Sequence, residues 1–335
     1  MSCEAARLPK LSPTVPKVKV MSKKTLVIGS RRSALAQAQS NLVRELLLAA
    51  WNDVEITIEL IDTRGDLNRE DPLPAIGGKG LFTAELEAAL RDRRIDLAVH
   101  SLKDLPVEDS PALSIVAIPK RASTQDMLIC HKANRLETLP GGAVVGTSSL
   151  RRASQILALR SDLRIKDIRG NVHTRLRKVN DPLYGYDATL LAQAGLERLG
   201  QLELDYAHPL PHSVMLPAPG QGALAIQGRA NDPDVTRYLQ ALEHPPTRIA
   251  VTAERSFLAG LGGGCSLPVA ALGQVEAGRL DLQALVASPD GRKVIKVSGG
   301  ASLEAARTLG EQLAKQTLAK GADRLLAQVQ EAGEP

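Results

Sequence analysis

Val144-Val145-Gly146-Thr147-Ser148-Ser149-Leu150-Arg151-Arg152 repeats the logic of Val27-Ile28-Gly29-Ser30-Arg31-Arg32-Ser33: apolar strand, glycine, hydroxyls, paired arginines, helix start. The echo continues downstream. Ile165 to Ile168 followed by Arg169-Gly170-Asn171 matches Leu60 to Gly65. Two similar α/β halves, each presenting basic residues at strand ends, would enclose a cleft between them. Chance recurrence of a common strand-to-helix turn is the competing explanation of the same letters.

Outward from the repeat, the first half reads as a strand over Thr25 to Gly29 and a helix over Ala34 to Ala49. On that helix Leu35, Ala38, Leu42, Leu46 and Ala49 share a face. Glycine turn and helix start predict an anion cradle, with helix amides, Arg31 and Arg32 pointing the same way. Val54 to Ile61 alternates as a half-buried strand, and Thr83 to Arg91 is helical. Gly77-Gly78-Lys79-Gly80 lacks P-loop spacing, so nucleotide binding does not follow. Strands are also expected over Leu113 to Ile118 and Asp187 to Leu191, with a helix from Ala194 to Leu199. Leu216-Pro217-Ala218-Pro219-Gly220-Gln221-Gly222-Ala223 reads as a hinge or crossing between domains.

Ile95 to Pro106 is a short apolar strand that stops at His100, Ser101, Lys103 and Asp104. Ligands in open α/β sheets collect outside the carboxyl ends of strands. A carboxylate beside a lysine at such an end can stay ionised and stabilise a developing cation, or move one proton. The residues alone also allow a solvated turn closed by Pro106, and taken by itself the stretch favours that reading.

Composition narrows the class. The chain has 335 residues, 44% apolar and 24% charged, which suits a globular protein of two or three domains. Aromatics at 2% leave few platforms for stacking nucleobases. Lys plus Arg number 42 against 37 Asp plus Glu, and the arginines gather at predicted loops and helix starts. That pattern fits a small polyanion, since the guanidinium fork grips carboxylates in pairs of bonds. Cys3, Cys130 and Cys265 form no disulfide framework and no zinc spacing, so no metal is expected. No apolar run approaches a membrane span. Residues 1–24, with Pro9, Pro13 and Pro16 among lysines, read as a disordered tail, and Met21 offers a second start.

From about Pro245 the character changes. A helix around Ala250 to Leu258 runs into Leu261-Gly262-Gly263-Gly264-Cys265-Ser266-Leu267-Pro268. Leu280 to Ser288, the turn Pro289-Asp290-Gly291, and Lys293 to Val297 make a hairpin, and Leu303 to Gln330 is mostly helical. This is a small α+β domain. Its triple glycine either exposes Cys265 or admits a ligand, while a lone cysteine also serves as buried filler.

In their order and spacing these stretches resemble the hydroxymethylbilane synthase, or porphobilinogen deaminase, family of tetrapyrrole synthesis. The resemblance runs from Thr25 to the C-terminal helices. Leu102 and Leu105 stand where the family often has methionine and valine, which leaves the polar residues in place. What it implies is an α/β fold of two similar hinged, periplasmic-binding-protein-like domains plus a small α+β C-terminal domain. The divisions expected are 25–120 with 220–240, 121–219, and 241–335.

The resemblance further implies a dipyrromethane cofactor bound to Cys265 through a thioether and held by Lys103, Ser149, Arg151, Arg152 and Arg175. Four porphobilinogen units would be joined head to tail with loss of ammonia, and water would release the linear tetrapyrrole. Asp104 would be the catalytic carboxylate. Arg31, Ser33, Ser101, Thr147, Ser148, Arg169 and Arg198 would face the substrate. A cytoplasmic monomer without membrane or nucleic-acid partners completes the expectation. The rivals are a two-domain solute-binding protein for a dicarboxylate, which gives Cys265 no role, and a nucleic-acid binder argued from charge alone.

Overall fold

The computed structural model describes residues 23–67, 83–108, 110–263 and 267–331. The chain begins with β1 (Lys24–Arg31), α1 (Ala34–Ala50), β2 (Val54–Ile61), α2 (Arg64–Leu67), α3 (Ala84–Arg91), β3 (Leu97–Ser101) and β4 (Leu113–Ala117). It continues through β5 (Asp126–Ile129), β6 (Val144–Gly146), α4 (Leu150–Leu159), β7 (Arg164–Lys166), α5 (Val172–Asn180), β8 (Ala188–Ala192), α6 (Gln193–Arg198) and β9 (Ala207–Pro209). Then come β10 (Leu224–Arg229), α7 (Pro233–Gln240), α8 (Pro245–Gly260), β11 (Val269–Glu276), β12 (Arg279–Ala287), β13 (Val294–Ser302), α9 (Ala306–Ala319) and α10 (Ala322–Glu331).

Two five-stranded sheets share one plan. Their orders are β2-β1-β3-β10-β4 and β7-β6-β8-β5-β9, so β1, β2 and β3 correspond to β6, β7 and β8. In each sheet those three strands pair in parallel, and the fourth strand, β10 or β5, runs antiparallel to both of its neighbours. The chain crosses twice: it leaves after β4 to enter the second sheet as β5, and returns as β10 beside β3. Each crossing strand is paired on both edges, which hides the backbone groups an edge would expose. The third sheet, β11-β12-β13, is an antiparallel meander covered by α8 and α9.

The cores follow apolar patterning. Leu26, Ile28, Val43, Leu47, Leu97 and Ile226 fill the first unit; Leu128, Val145, Ile156 and Leu190 the second; Phe257, Leu282, Leu309 and Leu313 the third. No helix among the described residues is long and apolar enough to cross a membrane.

Some local expectations need correcting. On α1 the buried residues are Ala36, Gln39, Ser40, Val43 and Leu47, whereas Leu42 and Leu46 are each 37% exposed. The inward face is set by β1 and β3 beneath it, and it includes Gln39, whose Nε2 donates to Ser101 Oγ at 2.8 Å. Arg31 and Arg32 do not point the same way, because successive residues at a strand end diverge. Arg31 is half-buried, while Arg32 turns outward to Asp62 at 2.6 Å. The third unit also holds β11, which the sequence reading leaves out.

The two crossings lie against each other. Ala122 N donates to Gly222 O at 3.2 Å, and Gly222 has φ +85°. A Cβ there would stand 2.6 Å from both Ala122 O and Ser123 O. Gly222→Ala therefore combines left-handed strain with a backbone clash, and about 1–3 kcal/mol of stability should be lost in urea unfolding. An unchanged midpoint and slope would mean that the crossing relaxes without cost.

Candidate active site

The carboxyl ends of β3 and β6 and the two crossings converge on one buried carboxylate. Asp126 opens the wholly buried strand β5 and is itself fully inaccessible. Its Oδ2 accepts from Arg151 Nη1 at 2.8 Å, and its Oδ1 from Arg152 Nη2 at 2.7 Å and Nε at 3.2 Å. Burial would raise the Asp126 carboxyl, but the two guanidiniums outweigh it and hold the group well below the usual carboxylate range. Both arginines are buried at the start of α4, where Ser149 caps the helix by accepting from Arg152 N at 3.4 Å. Arg151 also reaches Leu216 O at 2.7 Å, and Arg152 reaches Leu190 O at 3.0 Å.

Gln221, on the return crossing and fully buried, joins this triad to the turn after β3. Its Nε2 donates to Asp126 Oδ1 at 3.2 Å and to Thr124 O at 2.8 Å, while its Oε1 accepts from Lys103 Nζ at 3.3 Å. Lys103 and Asp104 belong to a single 3₁₀ turn, Leu102–Asp104, with Leu102 buried beneath it and Asp104 exposed. Burial pushes the Lys103 ammonium down to about 8; the Asp104 charge opposes that shift, and Arg152 adds to it.

Arg175, near the start of α5, is pushed down to about 10 by burial and by its neighbours Arg152 and Arg169, with Asp104 acting the other way. Its Nε donates to Gly170 O at 2.9 Å. Lys103, Asp104, Arg151, Arg152, Arg169 and Arg175 thus act on one another across both sheets. Arg31 is coupled instead to His100. That histidine is buried near the end of β3, bonded through Nε2 to Gln227 at 3.0 Å and pushed down to about 4 mainly by burial.

The remaining expected residues are divided in their tasks. Ser33 caps α1 by accepting from Ala36 N, the counterpart of Ser149 on α4. Ser101 accepts from Gln39, Thr147 Oγ1 accepts from Ser149 N, and exposed Ser148 donates to Ile168 O. Arg198 turns to the return crossing, where its Nη2 donates to Gly222 O at 2.7 Å; burial pushes it down to about 10. Its Nε, like that of Arg151, is buried without a hydrogen-bond partner among the described residues. Cys265 lies outside the described residues. The loop leading to it reaches the same place: a Cβ on Gly263 would stand 2.9 Å from Val107, just beyond the Asp104 turn. Among the described residues no cluster suited to a metal ion occurs.

Sequence reasoning missed Asp126, Gln221 and the pair Arg121–Glu254. The signal for Asp126 was available, since a carboxylate opening Asp126-Met127-Leu128-Ile129 must find cations in the core. Buried cations, two of them with guanidinium Nε atoms orphaned among the described residues, are chemically suited to a ligand carrying several carboxylates.

Removing the shared anion should be costly. Asp126→Asn leaves two buried arginines against a neutral amide, and loss of one partner of a buried pair costs about 3–5 kcal/mol, to be read by chemical denaturation. A carboxyl held low in the folded state contributes stability that is complete above its unfolded value of about 4 and is lost as pH falls below it. Wild-type stability should therefore fall on acidification through that region, and more steeply than that of Asp126→Asn. Equal acid slopes would remove Asp126 from the account.

Comparison with known proteins bears on the same residues. The family model described as "Porphobilinogen deaminase, dipyromethane cofactor binding domain" matches residues 26–237, and "Porphobilinogen deaminase, C-terminal domain" matches 248–319. A porphobilinogen deaminase of Roseiflexus sp. (strain RS-1) is 47% identical, covering 91% of this chain and 99% of its own. One of Desulforudis audaxviator is 47% identical over 92% of this chain and 98% of its own. That of Thermus thermophilus is 45% identical over 91% and 99%.

Proposed function

The chain belongs to the porphobilinogen deaminase family, and from that membership we propose that Asp104, Lys103 and the clustered arginines are its working site. The protein is a hydroxymethylbilane synthase, a transferase that joins four porphobilinogen molecules head to tail with release of ammonia. Its cofactor is dipyrromethane. We assign the covalent attachment to Cys265.

The observation that carries the assignment is the exposed Asp104 among cations that burial depresses. Burial pushes Lys103 to about 8 and Arg175 to about 10, and a further carboxylate brought beside either would favour its charged form. Porphobilinogen carries an acetate and a propionate, so each ring added brings more carboxylates into the cleft. Lys103, Ser149, Arg151, Arg152 and Arg175 would hold the cofactor, and the donor set fits its carboxylates. When bound, that group supplies the pyrrole carbon that receives the first substrate ring.

Arg31, Ser33, Ser101, Thr147, Ser148, Arg169 and Arg198 are assigned to the substrate and the growing chain. Asp104 sits where positive charge develops on pyrrole nitrogen, and its carboxylate stabilises that charge and accepts or returns the ring proton. Lys103, held by Gln221, keeps a cation beside Asp104. A monomer working in the cytoplasm fits this chemistry. The dicarboxylate-binding alternative is disfavoured by the family, which is an enzyme family.

Asp104→Asn should keep porphobilinogen binding and lose about 10²–10³ in turnover, the scale on which a positioned electrostatic group acts. Single-turnover kinetics with separate binding measurements check this. Turnover like that of wild type would make Asp104 a solvated turn residue.

A further inference from the structure

Helix α8 sends adjacent side chains to different tasks. Glu254 is fully buried and pairs with Arg121, Oε1 to Nη1 at 2.6 Å and Oε2 to Nη2 at 3.0 Å, and it also accepts from Gly220 N and Gly273 N. Arg255 reaches the turn that carries Asp104. Its Nη1 donates to Leu105 O at 3.0 Å and Leu102 O at 3.4 Å, and its Nη2 donates to Pro106 O at 2.7 Å. These carbonyls bracket Lys103 and Asp104, and a cation at the carbonyl end of a short helical turn is favourably placed.

Beneath, the turn is held by Leu102 and Leu105, buried with Ile118, Ala223, Ala225 and Val251, and by Lys103 Nζ donating to Gln221. Leu102 N donates to Ala223 O at 3.0 Å on one side. Beyond Leu105 and Pro106 lies a cavity of about 210 Å³, also lined by Gln227, Glu87 and Arg255. On this flank the guanidinium supplies the polar contacts to the turn's carbonyls. From Arg255 the helix runs on to Gly260 and into the loop whose Gly263 touches Val107. One helix thus references both the Asp104 turn and the segment leading to Cys265.

We propose that Arg255 is a positioning residue for the reaction, fixing the Asp104 turn through its three backbone carbonyls. The proposal rests on the reading of Asp104 given above. Arg248 supplies the control: on the same helix it donates to Ile115 O and Val116 O of the same sheet and pairs with Glu243, but it does not touch the turn.

The test compares Arg255→Met, Arg248→Met, Asp104→Asn and the Asp104→Asn/Arg255→Met double variant, each normalised to the cofactor-loaded fraction by intact mass. Arg255→Met should load normally and keep KM within about 2-fold while kcat falls on the order of 10- to 100-fold, the effect of displacing a reacting group by about 1 Å. Arg248→Met, even with a similar loss of Tm, should keep the wild-type kcat. In the Asp104→Asn background, Arg255→Met should lower kcat by no more than about 2-fold, because both act through one carboxylate. Arg255→Gln carries the same comparison if the methionine variant does not accumulate. Wild-type kcat in the Arg255 variants, an undiminished effect without Asp104, or an equal fall in Arg248→Met overturns the proposal. Wild-type turnover of Asp104→Asn overturns instead the reading beneath it.

Discussion

A carboxylate with no access to water, held between two guanidiniums, is the constraint on which the cleft depends. Asp126 cannot remain ionised in the core without Arg151 and Arg152, and neither arginine can remain at the buried end of α4 without Asp126. Two cations and one anion leave a surplus of positive charge inside, to which Lys103 adds through Gln221. The surplus is costly to fold and useful to keep, because it favours an anion entering from solvent.

The same network explains why the crossings are built as they are. β5 and β10 are the antiparallel strands that the two sheets exchange, and Asp126 and Gln221 lie at or just before their starts. A side chain there belongs to both units at once. Arg121 and Glu254 repeat the device one step away, binding the first crossing to α8, while Gly291 in the β12–β13 turn packs against Ser154 and Ala158 of α4. The third unit therefore holds the helix that presents the arginines as well as the turn that presents Asp104.

Much of this was legible in the sequence. The repeat of Val27–Ser33 in Val144–Arg152 gave two like-ordered sheets because both stretches must turn from a strand into a capped helix, and Ser33 and Ser149 are those caps. The polar cluster after β3 lies at a strand end, as its letters indicate. What was not legible depended on pairing across long separations. Asp126 meets Arg152 across 26 residues and Gln221 across 95, and no local pattern encodes either contact. The α1 face was misread because hydrophobicity placed Leu42 and Leu46 inward, whereas the strands beneath accept Ala36, Gln39 and Ser40. Likewise Arg32 looks like the twin of Arg31 until Asp62 at the end of β2 is seen to take it.

We propose that this buried positive surplus is matched to a polyanion held covalently by Cys265. Intact mass of the purified active protein, followed by peptide mapping, tests it most directly. The account predicts a mass excess of two pyrrole units confined to the peptide containing Cys265, with buried Cys130 unmodified. Active enzyme with an unmodified Cys265, or with the adduct on Cys130, would contradict it.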